Sequence, residues 1–142
     1  MIRLLIADDH AGMREKVTGI LEAECSVVGE ASDGQEMLDA EYITRPDVVV
    51  LDISMPTMDG IEAATRLRQR ASEARVVFLT MHEDQALLHA ALATGALGYV
   101  LKSRLVYDLP LAVKEAMAGR LFVSSPLTID PSWKTASGTI SA

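Results

Sequence analysis

The chain has 142 residues and a mass of 15.3 kDa, the size of one ordinary domain with room for a sizeable core, which disfavours a two-domain reading. Twenty acidic residues against 13 basic ones leave a formal charge of −7, which works against direct nucleic-acid binding and against attraction to an anionic membrane surface. An apolar share of 49% excludes a disordered or collagen-like chain, and the single cysteine, Cys25, excludes an internal disulfide or a Cys-x-x-Cys motif, as expected of a reducing cytoplasmic compartment.

The first apolar run, Ile2–Ala7, is cut off by Asp8-Asp9, too soon for a signal-peptide core or a membrane span. It reads as a strand. Helix-period residues Met13, Val17, Ile20 and Leu21 predict a helix over Met13–Ala23, and Cys25–Ala31 predicts a second strand with Cys25 as a small buried apolar side chain. The third strand, Asp47–Asp52, contains the unbroken run Val48-Val49-Val50-Leu51, the character of a strand covered on both faces. Asp59-Gly60 reads as a helix cap followed by tight backbone geometry.

Further strands follow at Ala74–Thr80 and Leu97–Leu101. Leu109, Ala112, Val113, Ala116 and Met117 predict a last helix over Asp108–Ala118, with Asp108 as N-cap, Pro110 in the first turn and Gly119 as the stop. After Arg120 the apolar period ends among Ser124-Ser125-Pro126 and Asp130-Pro131-Ser132. The expectation is one domain over residues 1–122 and a linker or tail over 123–142. Five strands alternating with helices predict a parallel α/β sheet covered on both faces.

In an open parallel sheet the binding crevice lies at the carboxyl ends of the strands. Strand one ends in Asp8-Asp9, strand three in Asp52, strand four in Thr80 and strand five is followed by Lys102. If strand one lies beside strand three, three carboxylates share one cleft with a hydroxyl and an ammonium. Two like charges about 4 Å apart repel by about 4 kcal/mol at an effective dielectric of 20, so the cluster needs compensating cations. Lys102 supplies one, and the remaining excess suits Mg²⁺, a hard cation that works beside phosphate. His10, His82 and His89 lack a shared helical spacing, so a zinc site is not expected.

Ile6-Ala7-Asp8-Asp9-His10, Leu51-Asp52-Ile53-Ser54-Met55-Pro56-Thr57-Met58-Asp59-Gly60, Leu79-Thr80 and Gly98-Tyr99-Val100-Leu101-Lys102 occur in that order. Together they resemble a response-regulator receiver domain over roughly residues 1–120. The resemblance implies a flavodoxin-like, CheY-like fold with a five-stranded parallel sheet of order 2-1-3-4-5. It implies that Asp52 accepts a phosphoryl group from a sensor histidine kinase, a phosphotransfer protein or a small acyl phosphate. It also implies that Asp9, Asp52 and the Ser54 carbonyl ligate Mg²⁺, with Asp8 reaching it through water. Thr80 and Lys102 would assist the transfer, and Thr80 and Tyr99 would form the switch, the tyrosine turning inward.

Asp8-Asp9-His10, the stretch Gly119–Ser124 and the absence of proline after Lys102 are most similar to the NarL/FixJ branch. Members of that branch usually carry a LuxR-type helix-turn-helix, for which this sequence leaves no room, and many of them dimerise on activation. A transcriptional output domain outside this chain is the expectation, and a stand-alone or pseudo-receiver acting as a docking module is the alternative. A turnover phosphatase commonly places a second aspartate two residues after its nucleophile. Position 54 is serine, so a conventional enzyme is not expected.

Overall fold

The computed structural model describes residues 1–129. In chain order the elements are β1 Ile2–Ala7, α1 Ala11–Leu21, β2 Cys25–Ala31, α2 Gly34–Thr44, β3 Val48–Asp52 and α3 Gly60–Gln69. They continue with β4 Arg75–Thr80, α4 Gln85–Leu92, β5 Gly98–Leu101, a 3₁₀ turn Lys102–Arg104, α5 Leu105–Met117 and β6 Phe122–Val123. The sheet order is β2-β1-β3-β4-β5-β6 and every pairing is parallel. This is the flavodoxin-like arrangement expected, with one strand added at the edge.

Two-residue alternation along the strands divides the core between the faces of the sheet. Leu5, Val49, Leu51, Phe78 and Tyr99 pack with Met37, Ala63, Leu67 and Leu88, so α2, α3 and α4 cover one face. Leu4, Ile6, Val50, Leu79 and Val100 pack with Val17, Leu21, Leu109 and Val113, so α1 and α5 cover the other. All five residues of β3 are buried, as its unbroken apolar run requires. Cys25 is buried in the α1/α5 layer. Among the described residues no helix is long and apolar enough to cross a membrane.

Three features of the sequence reading are corrected. The first helix starts at Ala11, two residues before Met13, because the His10 carbonyl already accepts the amides of Met13 and Arg14. The last helix starts at Leu105, because the 3₁₀ turn carries the chain directly out of β5. Asp108 is therefore no N-cap. It is buried inside α5 and accepts from Arg104 Nε at 2.9 Å and Ser124 Oγ at 2.7 Å. Pro110 accordingly lies in the second turn and withdraws the donor that the Val106 carbonyl would receive; Val106 is exposed, where water can replace it. Gly119 does end the helix, at φ 76°.

The third correction is the sixth strand. Gly98 pairs with Phe122 and Tyr99 with Val123, and the Ser124 amide donates to the Tyr99 carbonyl at 2.9 Å. Leu127 and Ile129 then pack on the α2/α3/α4 core face, and Gln85 Nε2 donates to the Thr128 carbonyl at 2.7 Å. Ordered contacts thus run past residue 122, where a linker was expected. Residues 130–142 of that expected tail lie outside the described residues.

Two predictions follow from local geometry. Ser124 is fully buried and its hydroxyl joins Leu101 N, at 3.0 Å, to Asp108. Ser124→Ala leaves a buried amide and a carboxylate oxygen short of partners, and chemical denaturation should show a loss of about 1–3 kcal/mol. Thr57, in the loop between β3 and α3, is held at φ 69°, a costly conformation for a β-branched residue. Thr57→Gly should raise stability by roughly 1 kcal/mol in the same assay.

Candidate functional site

Strand register alone brings the polar strand ends to one level. Ala7 pairs with Leu51, so Asp8 follows beside Asp52; Asp52 pairs with Leu79, so Thr80 comes next; Thr80 pairs with Leu101, immediately before Lys102. Each side chain stands where its strand gives out, at the carboxyl edge of the sheet. The loop after β3 folds back tightly over this edge. A Cβ on Gly60 would lie 2.2 Å from the Asp52 carbonyl oxygen, so only glycine permits the Gly60 amide to donate to the Ile53 carbonyl at 2.8 Å. Asp59 then caps α3 by accepting the Glu62 amide at 2.8 Å, the role its spacing predicted.

Asp8 and Asp52 are buried, at 1% and 3% exposure, and one ammonium faces both. Lys102 Nζ lies 3.3 Å from Asp8 Oδ2 and 3.3 Å from Asp52 Oδ2. Asp8 Oδ1 accepts the His10 amide at 2.9 Å, while its Oδ2, within ion-pair range of the lysine, accepts no hydrogen bond. Asp52 Oδ1 accepts the Ser54 amide at 3.2 Å. Asp9 is exposed, and its Oδ1 lies 3.1 Å from His10 Nδ1. Lys102 thus contacts both Asp8 and Asp52, while the nearest charged partner of Asp9 is its neighbour His10.

Thr80 is buried, and its Oγ1 accepts the His82 amide at 3.0 Å. Tyr99 is fully buried and donates from its hydroxyl to the His82 carbonyl at 3.2 Å. The ring of this tyrosine is already inside the protein, so the outward position from which a switch would start is not the one seen. Burial pushes the Tyr99 phenol above its ordinary value, against the influence of the Thr80 hydroxyl. A cavity of about 450 Å³ opens over the site, lined by His10, Asp52, Ser54, Met81, His82 and Lys102. His10 and Met81 were not singled out as site residues by the sequence reading. Their adjacency in sequence to Asp9 and Thr80 was the available signal.

The Asp52 carboxyl is held above its ordinary value, first by burial and then by the charge of Asp8, with Lys102 and the Ser54 amide opposing. A carboxyl with a raised folded-state pKa opposes folding once ionised. The penalty is absent below the unfolded value near 3.9, grows as pH rises towards the folded value, and is fully present above it. Asp52→Asn removes the charge while Lys102 keeps its contact with Asp8. Urea denaturation should show the variant more stable at pH 7, by on the order of 1–2 kcal/mol, with the gain shrinking as pH falls towards 4.

The family model of the response regulator receiver domain matches residues 4–114. The transcriptional regulatory protein DegU of Brevibacillus brevis is 36% identical over 129 residues, a match covering 89% of this chain and 55% of the relative. The nitrate/nitrite response regulator protein NarL of Escherichia coli K12 is 34% identical over 127 residues, covering 88% of this chain and 59% of the relative. This chain therefore spans little more than half the length of these curated relatives. Among solved structures, the signal receiver domain of the putative response regulator NarL from Mycobacterium tuberculosis superposes with a TM-score of 0.80 at 36% identity, covering 84% of this chain and 98% of that one. Sequence, fold and the match over most of its length agree that this chain belongs to the response regulator receiver domain family, in its NarL- and LuxR-type branch.

Proposed function

We propose that the chain is a phosphorylation-controlled signalling switch that accepts a phosphoryl group on Asp52. The observation that carries this reading is the buried Asp8–Lys102–Asp52 contact at the floor of an open cavity. One Asp52 oxygen attacks phosphorus, the bond to the donor breaks, and its electron pair leaves with the donor. Burial and the Asp8 charge raise the basicity of Asp52, and Lys102 stands 3.3 Å from it to offset negative charge arriving on the group transferred. Thr80, released from the His82 amide, is the hydroxyl that would meet the new phosphoryl oxygens, with Tyr99 linked to the same His82 backbone.

The residues present fit a divalent cation: Asp8 has a buried oxygen that accepts no hydrogen bond, and a carboxylate oxygen of Asp9 lies within 4.8 Å of one of Asp8. Asp9, Asp52 and the Ser54 carbonyl would hold Mg²⁺ directly, and Asp8 through water. When bound, Mg²⁺ would neutralise carboxylate and phosphoryl charge. Asp8 and Asp52 meanwhile keep Lys102 aimed into the cleft.

The donor is a sensor histidine kinase or phosphotransfer protein in the cytoplasm, and the modified chain forms a homodimer and governs a transcriptional output. The names of DegU and NarL as regulators support that output, while the charge of −7 argues against DNA contact by this chain. The phosphoryl-aspartate is the signal, so the chain is no conventional turnover enzyme. Incubation with a small acyl phosphate and Mg²⁺ should add one phosphoryl group by intact mass. Asp52→Asn should add none, and Lys102→Ala should slow the gain by about 10²-fold or more. A full gain in Asp52→Asn would overturn the assignment.

A further inference from the structure

We infer that Ser124, clasped to Asp108, is a positioning residue for phosphoryl transfer: it sets the backbone from which Lys102 reaches the acidic cleft. This rests on the reading that Lys102 serves transfer to Asp52. Lys102 Nζ stands 3.3 Å from Asp8 Oδ2 and 3.3 Å from Asp52 Oδ2, a balance between two carboxylates that a small displacement of its stem would upset. A lysine head rides on a flexible four-carbon stem, so its place depends on how firmly the backbone beneath is held. The sheet alone does not hold it here. β5 pairs with β4 as far as Leu101, but on its other side the ladder to β6 stops at Tyr99 and Val123.

Had the parallel ladder continued, the Leu101 amide would donate to the Ser124 carbonyl. That carbonyl is taken instead by the Leu127 amide, at 3.1 Å, as the chain turns away after β6. The Ser124 hydroxyl fills the place. It accepts the Leu101 amide at 3.0 Å and donates to Asp108 Oδ2 at 2.7 Å, while the Ser124 amide donates to the Tyr99 carbonyl at 2.9 Å. On the far side of Lys102, the Leu105 amide closes the 3₁₀ turn on the Lys102 carbonyl, and Arg104 Nε donates to the same Asp108 oxygen at 2.9 Å. Chain on both sides of the lysine therefore converges on one buried Ser124–Asp108 pair, at 0% and 4% exposure. Neither member of the pair lines the cavity over Asp52, so the pair acts on transfer through the lysine. Misplacing a reacting group by about 1 Å can cost roughly 10²-fold in rate, which is the scale of effect open to such a clasp.

The test compares the intact chain with Ser124→Ala, Arg104→Ala and a control truncation, Val76→Ala, which is buried near the opposite end of β4; each is checked for fold by circular dichroism. Intact mass follows phosphoryl gain from acetyl phosphate with Mg²⁺. Ser124→Ala should slow the limiting rate about tenfold, with the half-saturating donor concentration changed less than about twofold, and Val76→Ala should slow it less than about twofold. Arg104 is exposed, and its truncation leaves the buried pair in place, so Arg104→Ala should slow the rate about threefold. Added to Lys102→Ala, the Ser124→Ala change should cost less than about twofold more, because its effect runs through an ammonium already removed. Without any donor, the nitrogen resonance of the Lys102 ammonium should move in Ser124→Ala and stay in Val76→Ala. Equal slowing in Val76→Ala, a further loss of about tenfold on top of Lys102→Ala, or an unmoved ammonium resonance would each overturn the inference. Should Ser124→Ala fail to fold, Arg104→Ala carries the same comparisons, and an unchanged rate or resonance there overturns it. If the wild type gains no phosphoryl group while the resonance moves, the phosphoacceptor reading fails and the lysine placement stands; if Asp52 is modified normally and Ser124→Ala keeps both rate and resonance, the placement alone fails.

Discussion

Two buried carboxylates sharing one ammonium are the constraint on which this molecule turns. Like charges about 5 Å apart repel by roughly 3 kcal/mol at an effective dielectric of 20, and desolvation adds to that, so Asp8 and Asp52 oppose the folded state unless something offsets them. Lys102 is the offset the chain itself provides, at 3.3 Å from each. It is incomplete, since burial and Asp8 still hold the Asp52 carboxyl above its ordinary range and Asp8 Oδ2 lacks a donor. A site left short of positive charge is one that gains from a cation, and chemistry at Asp52 draws on the same deficit.

That deficit is tolerated because the scaffold beneath it leaves little alternative. Asp52 ends a strand in which every residue is buried and which is paired on both sides, so it cannot withdraw without uncoupling the centre of the sheet. Gly60 lets the next loop close against the Asp52 carbonyl, and Thr57 adopts φ 69° so that the same loop can reach it. Backbone strain, a glycine that admits no side chain and a raised carboxyl pKa all fall within nine residues of one another. Local rules are broken there because the remaining sheet over-determines the position.

How much of this was legible in the sequence depended on the range of the interaction that decides each feature. Strand and helix order followed from apolar periodicity, and the cleft followed from polar residues at strand ends, because a parallel sheet aligns those ends whatever the loops do. Asp59 and Gly119 were legible because caps are local. Asp108 was not: its fate is set by Ser124 and Arg104 and by a 3₁₀ turn that starts the helix early, and nothing at positions 105–108 announces this. β6 was missed because two residues carry no detectable period, and its pairing with β5 is decided by the edge that β5 leaves open.

β6 also changes what lies next to the site. β5 delivers Lys102 to the cleft, and the residue before it, Leu101, has its amide held by the Ser124 hydroxyl. Two residues earlier, Tyr99 donates its phenol to the His82 carbonyl beside Thr80, while its own carbonyl accepts the Ser124 amide. Ser124 therefore holds β5 at Tyr99 and at Leu101, just before the lysine, and Asp108 fixes Ser124 to α5. The following residues pack Leu127 and Ile129 on the core face and reach Gln85 at the start of α4. A shift of Tyr99 or of the β4–α4 loop therefore has to break or carry with it hydrogen bonds that end on Ser124 and Thr128, so the carboxyl edge of β4 and β5 and the residues after β6 form one connected network.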